Sequence, residues 1–239
     1  MQIRQLHAWE VSAQEAVAIQ RKLEPILDLR PLPKKVKTVA GADVSTSKKS
    51  DRLWAGVTVF KYPQLIKMEE KWVHGRARFP YIPGLLSFRE IPPLLEALKR
   101  LEIEPDLILC DGQGIAHPRR LGLASHLGLV LNKPTIGCAK SRLIGEFSAV
   151  GAEKGDYSRL LYKNRIIGAV LRTRKGVKPL FISPGNKITL EESLKVVLGC
   201  AVRYRMPEPT REAHLLVNRI RTLESSLPNR SIRVIKSDP

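Results

Sequence analysis

Apolar and polar positions along this chain fall into blocks that predict a mixed α/β order. Ser12-Ala13-Gln14-Glu15 has the form of a capping box and predicts a helix to about residue 27, with Ala16, Val17, Leu23, Ile26 and Leu27 on its apolar face. The Pro-rich basic stretch Arg30-Pro31-Leu32-Pro33-Lys34-Lys35 ends that helix. Thr38-Val39-Ala40-Gly41-Ala42-Asp43-Val44 then reads as a buried strand carrying one acid. Two further strand patterns, 53–62 and 64–74, meet at Tyr62-Pro63, so the three strands form an antiparallel meander.

Residues 85–101 read as a helix with Ser87, Glu90, Leu94, Leu98 and Leu101 at helical spacing, although Pro92-Pro93 strains the pattern. A second acid-tipped strand, 107–111, breaks into Gly112-Gln113-Gly114. A helix over 120–131 follows, then a strand over 135–139 that stops at Lys140. From there the alternation of strand, turn and helix predicts parallel crossover units. Within it, 157–163 and 165–172 read as a hairpin turning near Asn164, and 179–182 as a short strand before Ser183-Pro184-Gly185-Asn186. Thr189-Leu190-Glu191-Glu192 gives another capping box for a helix to about residue 202. Pro207-Glu208-Pro209 separates it from a last helix, 210–225, and the polar, basic tail from Pro228 is expected to fray. With no repeat and no break in composition, residues 1–239 read as one domain.

Charge narrows the partners. The chain has 41 Lys plus Arg against 23 Asp plus Glu, a formal net charge of +18. Such an excess favours a polyanion, nucleic acid or an anionic membrane surface. No stretch approaches the ~18 apolar residues of a spanning helix, and the N-terminus lacks the apolar core of a signal peptide. Cys110, Cys138 and Cys200 are odd in number and sit in apolar stretches, which fits reduced, buried thiols in the cytoplasm and neither a disulfide framework nor a zinc site.

An ionised Asp on a buried strand is costly unless a positive group meets it, and for two such acids a divalent cation is the usual solution. Between them lies Pro80-Tyr81-Ile82-Pro83-Gly84, whose prolines stiffen a loop with Tyr81 and Ile82 at its tip. Acids, aromatic wedge and basic surface point to a metal-dependent enzyme acting on nucleic acid. Each feature has a plainer reading. Asp43 and Asp111 could cap turns, Glu90 could be an exposed helical acid, and Gly112-Gln113-Gly114 could be only a tight turn. His214 alone would more often be a satisfied helix histidine, and His117 either meets substrate or pins its own loop.

A three-stranded antiparallel meander followed by parallel strands, flanked by helices, resembles the ribonuclease-H-like mixed sheet. That arrangement puts carboxylates where Asp43, Glu90 and Asp111 stand. Gly41-Ala42-Asp43-Val44-Ser45, the segment from Phe79 through Pro80-Tyr81-Ile82-Pro83-Gly84 to Glu90, Asp111-Gly112-Gln113-Gly114-Ile115-Ala116-His117-Pro118-Arg119 and Gly137-Cys138-Ala139-Lys140-Ser141 together resemble the endonuclease V family, the inosine-specific nucleases. The likeness runs from about the first helix to the last.

The resemblance implies Mg²⁺-dependent hydrolysis of the second phosphodiester 3′ to a deaminated adenine, leaving 3′-hydroxyl and 5′-phosphate ends, with Mn²⁺ able to substitute. It implies a cytoplasmic repair enzyme acting as a monomer on inosine-containing DNA, or on inosine in RNA as in animal members. Asp43 and Asp111 are expected as direct metal ligands, and Glu90 as a direct or water-mediated one. His214 resembles the position that meets a second metal or the attacking water, and Lys140 would offset phosphoryl charge. Pro80, Tyr81, Ile82 and Pro83 are expected at the strand-opening loop. Gly84, Leu86, Gly112, Gly122 and Leu143, with His117, are expected around the base. The rival readings are another nuclease of the same fold, such as a junction resolvase, and a non-catalytic nucleic-acid binder held by the basic surface alone.

Overall fold

β1 (Thr38–Thr46) lies between an antiparallel and a parallel neighbour, and the rest of the molecule is arranged around it. The computed structural model describes residues 1–47 and 50–226. Among them, eight strands form one mixed sheet in the order β3-β2-β1-β4-β5-β8-β7-β6. β2 (Arg52–Lys61) and β3 (Ile66–Arg76) complete the expected meander, and β4 (Leu107–Cys110) and β5 (Thr135–Ala139) run parallel to β1.

Beyond β5 the expectation of parallel crossovers fails. β8 (Leu180–Asn186) pairs antiparallel with β5, and β6 (Tyr157–Tyr162) and β7 (Arg165–Leu171) continue antiparallel to the sheet edge. A parallel return needs a long crossover, usually a helix, and among the described residues no helix lies between β5 and β8. The hairpin does turn where expected, with Lys163 and Asn164 both at positive φ. β8 outruns its predicted end, and Pro184 sits opposite Ile136 at a register shift, where a missing donor is tolerated.

Alternation along β1 assigns the helices to two faces. Ala40 and Ala42 pack with Ile91, Leu94 and Leu98 of α2 (Leu86–Lys99) and Leu127 and Val130 of α3 (Leu123–Leu131). Val39, with Leu107, Leu109 and Ile136, packs with Leu194 and Val197 of α4 (Leu190–Cys200) on the other face. α5 (Glu208–Ser226) lies on that second face too, against β1 and β2. α1 (Ala13–Leu23) joins the first layer through Ala16, packed with Phe79 and Phe88, and Leu23, packed with Leu121 and Leu129.

Both capping boxes form, Ser12 with Glu15 and Thr189 with Glu192. α1 ends earlier than expected and tightens into a 3₁₀ turn over Glu24–Ile26, with Pro25 inside it, which leaves Ile26 exposed. α3 starts later, after Gly122, because 117–120 forms a hydrogen-bonded turn with Arg120 at positive φ. α2 runs through Pro92 and Pro93, which removes the donors that would have met the carbonyls of Phe88 and Arg89. The three cysteines are free and buried, and no helix among the described residues is long and apolar enough to cross a membrane. The tail expected to fray from Pro228 lies outside the described residues.

Candidate active site

Gly41 makes the approach of α5 possible. A Cβ there would lie 2.0 Å from the carbonyl oxygen of Pro209, so only glycine admits the first turn of the helix against β1. Thr58 Oγ1 fixes the same carbonyl at 2.9 Å. So seated, α5 brings His214 Nδ1 to 2.8 Å from Asp43 Oδ2. Asn218, one turn on, donates from Nδ2 to His214 Nε2 at 3.0 Å, and its Oδ1 accepts from Ser45 Oγ at 3.1 Å.

Asp111 follows β4 directly, its N–H bonded to the Ala42 carbonyl at 3.1 Å, so the two acid-tipped strands end side by side. One oxygen each of Asp43 and Asp111 and one ring nitrogen of His214 all lie within 4.8 Å of one another. Lys140 Nζ donates to Asp111 Oδ2 at 2.5 Å. Glu90 stands outside this tight group, yet burial and then the charges of Asp43 and Asp111 push its carboxyl up to about 8. Burial and Asp43 raise the Asp111 carboxyl as well, against the pull of Lys140 and His214. Crowded acids whose ionisation is disfavoured, together with hard oxygen donors and one imidazole, suit a small divalent cation.

Beside the acids opens a cleft of about 410 Å³, within the range of small-ligand sites. Glu90, Asp111 and Lys140 are part of its wall. Of the residues expected around the base or at the loop, Tyr81, Pro83, Gly84, Leu86, Gly112, His117, Gly122 and Leu143 line it. Pro80 and Ile82 do not. Ile82 packs down among Ala16, Phe79, Leu85 and Phe88, so the tip of the loop is Tyr81 alone, 69% exposed. A larger hollow of about 720 Å³ near Arg4, Leu27 and Lys187 shares none of these residues.

The loop is rigid for a reason the motif does not spell out. Leu85 N–H bonds to the Ile82 carbonyl at 2.9 Å, with Pro83 and then Gly84 at φ +80° between them, the arrangement of a type II turn. The Gly84 carbonyl then accepts from Gln20 Nε2 at 3.0 Å, His117 Nε2 at 2.9 Å and Arg119 Nη2 at 2.8 Å. His117 therefore pins two loops together while also facing the cleft. Burial lowers its imidazole to about 4, with the Gly84 hydrogen bond opposing and the nearby Arg119 charge assisting.

The sequence reading missed several residues here. Gln20 is fully buried and also reaches the Leu121 carbonyl, and its polar side chain on the apolar stripe of α1 was the available signal. Asn218 could have been found by its spacing of four from His214. Arg205 Nη2 holds the Lys140 carbonyl at 2.9 Å, and Gln113 Nε2 holds the Ser141 carbonyl at 3.0 Å, contacts that no local pattern announces.

Comparison with known proteins agrees with this geometry. The family model described as Endonuclease V matches residues 21–215. An Endonuclease V of Dehalococcoides mccartyi is 52% identical over 215 residues, 90% of this chain and 96% of the relative. The crystal structure of the Streptomyces avermitilis Endonuclease V superposes with a TM-score of 0.87 at 38% identity, covering 95% of this chain and all (100%) of that one. The Ciona intestinalis Endonuclease V, solved in complex with a 24mer DNA containing an inosine followed by a ribo-adenosine, has a TM-score of 0.78 at 29% identity and covers 88% of this chain and 98% of its own.

Proposed function

The chain belongs to the endonuclease V family, and from that premise we propose that it hydrolyses the second phosphodiester 3′ to a deoxyinosine in DNA with Mg²⁺, leaving 3′-hydroxyl and 5′-phosphate ends. The observation that carries this reading is that the base-sized cleft and the acid cluster share walls, since Asp111 belongs to both and Glu90 and Lys140 adjoin both. An extruded base and a backbone phosphodiester close to it can be held at once.

Tyr81 fills the gap left in the stack when the base is taken out. Hypoxanthine presents a 6-oxo acceptor and an N1–H donor where adenine presents the reverse, and the Gly84 N–H and Gly112 carbonyl can read that edge, Gly122 shaping the wall with both its main-chain groups bonded to Gly114 and His126. Asp43 and Asp111 would hold the cation, with Glu90 directly or through water and His214 beside them. When bound, Mg²⁺ (or Mn²⁺) supplies charge compensation for the phosphoryl and leaving oxygens. Lys140 adds fixed positive charge at Asp111, where negative charge develops on the phosphoryl group. His214, braced by Asn218, orients Asp43. The enzyme acts as one domain, as a monomer, in cytoplasmic repair.

The test is to incubate the protein with Mg²⁺ and matched duplexes containing adenine or inosine, then to map the ends. Cleavage confined to the inosine strand, one nucleotide beyond the lesion, is expected, with none in chelator. Equal cutting of the adenine duplex, or cutting of branched DNA alone, would overturn the reading. Because the DNA bound by the Ciona relative carries a ribo-adenosine after its inosine, a matched strand with that single ribonucleotide belongs in the same assay.

A further inference from the structure

A second exposed aromatic, Tyr204, stands in the segment joining α4 to α5. The guanidinium carbon of Arg211 lies 3.7 Å from the centre of its ring, a stacking distance. Glu212 at 2.8 Å and Glu208 at 3.4 Å hold that guanidinium in turn. With one face of its ring backed by Arg211, Tyr204 is still 42% exposed, beside Val202 at 63%.

The segment is tied down by its carbonyls. Lys154 Nζ donates to Ala201 at 3.0 Å, Arg174 Nη1 to Arg203 at 3.0 Å and Thr173 Oγ1 to Arg205 at 2.7 Å. It is also joined to the site at one point and close to it in sequence at another. Arg205 Nη2 donates to the Lys140 carbonyl at 2.9 Å. Arg211 precedes His214 by three residues, so the two share a side of α5.

Direction follows from the two faces of the sheet. The cleft opens among α2, α3 and the ends of β4 and β5, on the face of Ala40 and Ala42. Asp43, His214 and α5 belong to the opposite face. A strand with its base in the cleft and a phosphodiester at the acids can leave over α5, whose first turns carry Arg211 with Tyr204 stacked on it. Since the bond cut in the reading above lies 3′ to the base, the departing nucleotides are those on the 3′ side.

We infer that Tyr204, backed by Arg211, is a stacking subsite for the strand beyond the first nucleotide 3′ of the scissile phosphodiester. The subsite rests on the inosine-directed cleavage proposed above and adds to it a grip on the strand beyond the cut. Stacking on an aromatic tolerates any base, so the contact strengthens strand binding without adding sequence preference.

The experiment compares two inosine strands, one ending a single nucleotide past the scissile bond and one continuing about ten nucleotides further. For the parent, kcat/KM should be about tenfold higher on the longer strand, the scale of one base–aromatic stack. Tyr204→Ala should lose that dependence on length and Tyr204→Phe should keep it. Tyr204→Leu, which retains apolar bulk without an aromatic plane, should lose it as Ala does, and it stands in for Ala should that variant melt early. A parent with no length dependence, or a Tyr204→Ala or Tyr204→Leu variant that retains it, would overturn the subsite. A parent that cuts inosine and adenine strands alike sinks the inosine reading instead, while the length comparison still reports on Tyr204.

Discussion

His214 Nδ1 lies 2.8 Å from Asp43 Oδ2, a contact that joins the last helix to the central strand across 171 residues of sequence. It exists because Gly41, two residues before the acid, has no Cβ to hold α5 away. Asp111 and its partner Lys140 complete the group, so two strands, a helix and a loop meet at one acid cluster.

Asp43→Ala and Asp111→Ala should each reduce cleavage by about two orders of magnitude or more while leaving inosine binding in place, since the proposed reading gives the acids the phosphodiester and the cleft the base. Mg²⁺ should raise the melting temperature of the parent, and the increment should shrink in either variant. Single-turnover cleavage, duplex affinity and thermal unfolding with and without Mg²⁺ test this together. A variant that cuts like the parent would remove that acid from the site.

Lys140 offers fixed charge beside Asp111. Lys140→Ala should slow single-turnover cleavage by about a hundredfold, as loss of one electrostatic stabiliser does. Affinity at fixed salt should fall far less, since one cation among many is lost. Normal rate with weak binding would make Lys140 a phosphate anchor.

Tyr81 is exposed on a clamped loop, so truncating it should leave the melting temperature unchanged. Tyr81→Ala should weaken binding to inosine duplex by ~1–3 kcal/mol, the scale of one stacking contact, and weaken binding to single-stranded inosine DNA less. Equal losses on duplex and single strand would argue against a wedge that opens the helix.

His117 titrates against folding. Its folded-state pKa, about 4, lies below the ordinary 6.5 of an unfolded imidazole. The neutral form is therefore favoured by folding, and its contribution is complete above 6.5 and lost as pH falls through the interval from 6.5 to about 4. The loss amounts to roughly 3 kcal/mol across that interval. Urea unfolding of the parent and of His117→Gln at pH 7.5 and pH 4.5 should show the smaller drop in the variant, beyond what other histidines give to both. An identical drop would mean that His117 is not buried neutral against Gly84.

Local patterns in the sequence determined much of this molecule. Each capping box is a contact between residues three apart, and β1 and β4 declare themselves by unbroken apolar runs, so neighbours in the chain suffice. The stiffness of the Tyr81 loop was legible for the same reason, because proline restricts its own φ wherever it stands. Only the tertiary structure decided what meets across long separations. It turned β8 antiparallel to β5, sent Ile82 inward and left Tyr81 outward, and set Gln20 of α1 under Gly84. It also put Asn218 behind His214, and Arg211 against the face of Tyr204. Strand direction depends on how a connection closes, and a polar side chain's partner depends on which distant carbonyl packing delivers. Neither is written in the spacing of residues along the chain.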